Sequence, residues 1–188
     1  MSDTKQKIVD IASELLQTRV FSAFSYQDIS ARLGISKAAI HNHYRTKELL
    51  GNAILDDYLG KTLAMHAEVE RNEGSAWDKL EHYIELIRKV TLEEGKGCLA
   101  VTLQVEHNVI PASMQKQIKN VFAKDMELFS KILKDGLEEG SMSFKGEPDQ
   151  QALVIVNLLQ IATMSARMNG ESAFDSVIEQ MKINLKKT

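Results

Sequence analysis

Apolar positions recur every three or four residues along most of the chain, the spacing that lines one face of a helix. Ile8, Ile11, Ala12, Leu15 and Leu16 form the first such stripe, opposed mostly by Lys5, Lys7, Asp10 and Glu14, and predict an amphipathic helix over residues 4–18. Long helices are expected over 47–71 and 76–94, parted by the polar turn Asn72-Glu73-Gly74-Ser75. Gly95-Lys96-Gly97 then breaks the pattern. A shorter helix follows and ends at or before Ile110, because Pro111 disfavours helical backbone in the residue preceding it. Ile118, Phe122, Met126, Phe129, Ile132, Leu133 and Leu137 predict a helix over 113–138. Beyond a loop at 140–148, residues 152–168 are apolar nearly all round, so a helix there needs cover on two faces. Val177, Ile178, Met181 and Leu185 line a last helix over 173–186. Ser25, Ser75 and Ser172 each stand three residues before an aspartate, the form of a capping box that satisfies free N–H groups at a helix start.

Two prolines in 188 residues and few strand-like alternations leave no pattern for a sheet, so the fold class is all-α. The 23 Lys+Arg against 26 Asp+Glu give a slightly acidic chain, and any contact with an acidic partner has to come from a local patch. One cysteine cannot form a disulfide within the chain, and the first twenty residues carry charges throughout, so a cytoplasmic protein is expected. The most apolar stretch, 152–166, is interrupted by Asn157, Gln160, Thr163 and Ser165, and no membrane span is expected.

The sharpest signal lies in Ser25 to Lys47, which reads SYQDISARLGISKAAIHNHYRTK. A capped helix holding Ile29 and Leu33 runs into Leu33-Gly34-Ile35-Ser36, where Gly34 supplies the positive φ of a tight turn and Ser36 caps a second short helix. That is a helix-turn-helix, whose second helix lies in the DNA major groove while the first braces on phosphate. Charge agrees: Arg32, Lys37, Arg45 and Lys47 occur in this stretch with no acidic residue between Arg32 and Lys47. A helical hairpin with a solvated basic edge is the plainer alternative.

Residues 5–59 resemble the DNA-binding region of TetR-family repressors, in the IVDIASELL helix, the FSYQDISARLGISKAAI run, the His43-Tyr44 end of the second helix and Thr46-Lys47-Glu48-Leu49 opening a fourth. The resemblance implies an N-terminal three-helix DNA-binding domain, 1–50, and a C-terminal helical domain, 51–188, about nine helices together, that senses a ligand and dimerises. It implies major-groove contacts from Gln27, Lys37, Ala38, Ala39 and His41, and phosphate contacts or their supports from Ser25, Tyr26, Asn42, His43, Tyr44 and Lys47, with Ser36 capping the reading helix. His41 replaces a tyrosine common there, which leaves the operator sequence open. Alanines offer thymine methyl contacts only, so base reading falls to Lys37, Gln27 and Asn42. Tyr44 serves equally well as an aromatic packing the second helix onto the first. A homodimer formed through the last two long helices, a palindromic operator and repression relieved by a small-molecule effector follow as expectations.

Cys98 is the candidate sensor, because a thiol at a helix start beside Lys96 is pushed towards thiolate. An inert buried cysteine beside Leu99 and Val101 is the competing reading. Gly97-Cys98-Leu99-Ala100-Val101 with Leu103, Glu106 and Pro111-Ala112-Ser113-Met114 resembles the NemR-like branch of the family, which senses electrophiles and oxidants at a cysteine in this stretch. A reversible apolar effector is the alternative, held by Met65, Trp77, Tyr83, Phe122, Met126 and Met164. His41 and His43 do not share a helix face and Glu106-His107 lacks a third ligand, so no metal or other cofactor is expected. No nucleophile–base pair stands out, so an enzyme is not expected; a helical protein-interaction module stays open and would show no salt-dependent DNA binding.

Overall fold

A computed structural model describes residues 3–93 and 98–186. Among these residues the chain forms nine α-helices and no strand: α1 Asp3–Arg19, α2 Tyr26–Leu33, α3 Lys37–His43, α4 Lys47–Glu70, α5 Ala76–Arg88, α6 Leu99–Val105, α7 Ala112–Glu139, α8 Pro148–Asn169 and α9 Glu171–Ile183. The helix expected to run on to residue 94 ends instead at Arg88, and Lys89–Glu93 form a wider π turn. Two compact units emerge, one of residues 1–61 with 99–121, the other of 62–98 with 122–188.

In the first unit the stripe of α1 is used except for Ile11, which is half-buried, and Val9 is buried beside it: Ile8, Ala12, Leu15 and Leu16 are buried with Phe24, Ile29, Ile40, Leu50 and Ile54. Leu99, Leu103 and Met114 join this unit from α6 and α7 and are also fully buried. Gly51 in α4 has no room for a side chain, because a Cβ there would run into Met114 and Phe21. The second unit has its own core, with Leu80 and Tyr83 of α5, Phe129 and Leu133 of α7, Ile155 and Leu159 of α8, and Phe174 and Ile178 of α9.

The capping boxes at Ser25 and Ser75 form as expected, but the one expected at Ser172 does not. Gly170, at φ 84°, breaks the chain two residues earlier, so α9 starts at Glu171 and Ser172 lies inside it. The carboxylates of Glu171 and Asp175 both bind the guanidinium of Arg88, and no side chain caps α9. α8 likewise starts before the apolar run, at Pro148, where a missing N–H costs nothing at a helix start. Its second apolar face stays uncovered: Leu153, Val154, Ile161, Met164 and Met168 are exposed. No helix among the described residues is long and apolar enough to cross a membrane.

Candidate nucleic-acid interface

The turn between α2 and α3 is built by local hydrogen bonds. Ser25 Oγ accepts from the Gln27 N–H at 3.2 Å, and Asp28 Oδ2 reaches back to the Ser25 N–H at 2.8 Å. Those bonds to Ser25 are the main reason the Asp28 carboxyl is held below the usual carboxylate range. Arg19 at the end of α1 pairs with Asp28 at 3.0 Å. Gly34 closes α2 in the left-handed region, φ 69°, with its N–H on Ser30 O, and the Ser30 hydroxyl donates to Ile35 O at 2.6 Å. Ser36 Oγ then accepts from the Ala39 N–H at 3.1 Å and starts α3.

One side of α3 is buried and the other presented. Ile40 is fully buried, and Tyr44 at the helix end is buried beneath the Lys5 ammonium, 5.5 Å from its ring centre. The Tyr26 hydroxyl donates to Tyr44 O at 2.8 Å, tying the start of α2 to the end of α3, and the His41 ring packs edge-on against Tyr26 at 4.6 Å. Ser25, Gln27, Ser36, Lys37, Ala38, His41, Asn42 and His43 are exposed, with Ala39 half-buried among them. Arg45, just past α3, extends this exposed basic edge.

Three of the expected contact residues sit inward, in supporting positions: Tyr26 and Tyr44 are buried, and Lys47 is half-buried. The Lys47 ammonium donates to the carbonyls of Phe21 and Phe24 and lies 4.7 Å and 4.3 Å from the centres of their rings. It is committed to the protein's own α1–α2 turn. Glu106, just past α6, is buried and accepts from the N–H groups of Phe21 and Ser22, the second at 3.0 Å. Periodicity carries no sign of that contact, whose partners lie 85 and 84 residues apart.

Burial, with a smaller contribution from Tyr44, pushes the Tyr26 phenol up to about 12, against an ordinary value near 10. The fold therefore favours the neutral phenol. Its contribution is complete below about pH 10 and is lost as pH rises towards about 12. Tyr26→Phe is expected to melt lower than wild type at neutral pH and to show a shallower decline between pH 10 and 12, in thermal melts followed by circular dichroism.

In the second unit, Cys98 is half-buried at the residue before α6, while Lys96 and Gly97 lie outside the described residues. Tyr83 is buried, which holds its phenol neutral; Asp125 and Cys98 add to the effect. The buried His66 ring meets Asp125 at 3.0 Å. Met65, Trp77, Phe122 and Met126 are partly buried against the core that contains Tyr83, whereas Met164 lies on the exposed stripe of α8. Among the described residues no three His, Cys, Asp or Glu side chains gather as a metal-binding group.

A capped helix-turn-helix with a presented second helix and a basic edge defines a DNA-binding regulator. Comparison with known proteins agrees: residues 8–54 match the model of bacterial regulatory proteins, tetR family, and 76–181 match the tetracyclin repressor-like C-terminal domain. The chain belongs to the TetR family of transcriptional regulators. It is 24% identical over 170 residues to the HTH-type transcriptional repressor NemR of Escherichia coli strain K12, covering 89% of this chain and 85% of that protein. It is 23% identical over 167 residues to the repressor DhaR of Mycobacterium sp. strain GP1, covering 87% and 82%. The fold matches a TetR-family regulator from Agrobacterium tumefaciens with a TM-score of 0.93 at 24% identity, covering 97% of both chains. It also matches a TetR regulator from Legionella pneumophila at 0.87 and 27%, covering 99% of both. The reduced form of E. coli NemR matches at 0.83 and 23%, covering 98% of both.

Proposed function

We propose that this protein is a homodimeric repressor that binds a palindromic operator through α3 and is released by an effector acting in its C-terminal helices. The observation that carries the reading is the presented face of α3, with Lys37, His41 and Asn42 exposed around a buried Ile40. Gln27 on α2 and the small Ala38 and Ala39 complete a surface fit for base edges, and Ser25, Ser36 and His43 flank it for phosphate. Tyr26, Tyr44 and Lys47 act from beneath as supports. Binding of this kind releases condensed counterions, so affinity for the fragment upstream of the gene falls steeply as salt rises. Affinity insensitive to salt would favour a protein-interaction module.

The uncovered stripe Leu153, Ile161, Met164 and Met168 on α8 supports dimerisation through α8 and α9, since an isologous pairing buries the same face on both subunits. Ile161→Glu places a charge in that face. Sedimentation is expected to show a monomer with at least tenfold weaker operator affinity, and a dimer of unchanged strength would remove α8 from the interface.

The effector reading rests on Cys98, half-buried at the start of α6, and on the likeness to NemR. Wild type is expected to leave its operator when treated with N-ethylmaleimide or hypochlorite, and Cys98→Ser to stay bound, in a mobility-shift assay. Release of both proteins would exclude the thiol. Binding that ignores both reagents would favour a reversible ligand instead, for which Met65, Trp77, Tyr83, Phe122 and Met126 supply an adaptable apolar lining.

A further inference from the structure

We infer that Glu106 is the positioning residue through which α6 sets the orientation of the reading helices, an inference that rests on the DNA-binding reading above. The α1–α2 turn, residues 20–24, is anchored by the buried Phe21 and Phe24, whose rings meet edge-on at 5.8 Å, and by charged groups on its backbone. Val20 leaves α1 at φ 64°, a conformation that a β-branched residue adopts only where its surroundings impose it. Directly after it, a pair of opposite charges holds both polarities of the backbone. Glu106 takes the N–H groups of Phe21 and Ser22, while Lys47 at the start of α4 takes the carbonyls of Phe21 and Phe24. The turn runs straight into Ser25, the cap of α2, and α2 carries α3 through Gly34 and the Tyr26–Tyr44 bond.

The Glu106 end of this clamp is itself fastened. Val109 and Ile110 donate their N–H groups back to Glu106 O at 2.8 Å and 3.1 Å, and Gln115 Nε2 donates to His107 O and Ile110 O. Glu106 directly follows Val105, the last residue of α6, and the His107 N–H donates to Gln104 O at 3.1 Å, so a shift of α6 carries the carboxylate with it. α6 begins at Leu99, directly after Cys98, so one short helix separates the candidate sensor from the clamp in the chain.

Glu106→Gln keeps the volume but offers one acceptor where two N–H groups wait, and turns an NH2 donor towards one of them. The test uses the full-length protein and the duplex that wild type selects from a random DNA library. For Glu106→Gln, hydrogen exchange is expected to quicken at least tenfold across residues 20–43 and to stay as in wild type across 122–169, with operator affinity at least tenfold weaker. Glu106→Asp, which retains both acceptor oxygens on a shorter stem, is expected to recover part of both losses. Faster exchange with wild-type affinity would reduce Glu106 to a structural role and overturn the inference, as would no change in either. Wild type that selects no duplex would instead remove the regulator reading itself, a failure independent of residue 106.

Discussion

Lys37→Glu is expected to weaken operator binding by about 100-fold or more while leaving the unfolding curve where it is. Lys37 is the first residue of α3 and is exposed. If α3 reads the groove as proposed, the substitution removes a cation from the reading side and sets a carboxylate against phosphate and guanine acceptors. One good base contact is worth about 1–3 kcal/mol, and the dimer loses it twice. Stability is spared because an acidic side chain in the first turn of a helix suits the dipole there. Fluorescence anisotropy with a labelled operator, beside a melt of the same sample, separates the two effects. Binding within a few-fold of wild type would mean that α3 does not present Lys37 to DNA.

The largest loss of stability is expected from Phe129→Ala. Phe129 is 1% exposed and meets the Tyr83 ring edge-on at 4.7 Å, inside the core that also holds Leu133, Ile155 and Phe174. Truncating a buried phenylalanine costs about 3–5 kcal/mol through lost burial and the cavity left behind. A domain has about 5–15 kcal/mol in all. Urea unfolding is expected to move to a much lower midpoint with a similar slope. A cost below about 1 kcal/mol would show that this core is already loosely packed, as a ligand site beside Tyr83 would make it.

The residues that shape the reader were legible because their causes are local. Ser25 with Asp28, Gly34 and Ser36 each act within four residues of themselves, and each takes the role its chemistry suggests. Ser172 misled because the same serine–aspartate spacing recurs where Gly170 can break the chain and Arg88 draws Asp175 away. The start of α8 was missed because periodicity marks buried faces, and its first turn, beginning at Pro148, carries none. Met164 could not be assigned a face from a run that is apolar all round; its exposure puts it on the outer stripe of α8. Lys47 reads as a surface cation until its two carbonyl partners are seen more than twenty residues before it in the chain. Glu106 lay furthest from view, since nothing in the residues around it indicates the amides of Phe21 and Ser22. The sequence places a single division at residue 50, whereas compactness gathers 99–121 with the first 61 residues, a grouping of segments distant in the chain that local patterns do not show.

The most direct test of the account is a footprint of the full-length protein on the DNA upstream of its own gene. Two protected half-sites related by twofold symmetry, with centres about one helical turn or a multiple of it apart, are the predicted result, and Lys37→Glu should erase both. A single unpaired patch, or protection that survives Lys37→Glu, would contradict a dimer that reads DNA through α3.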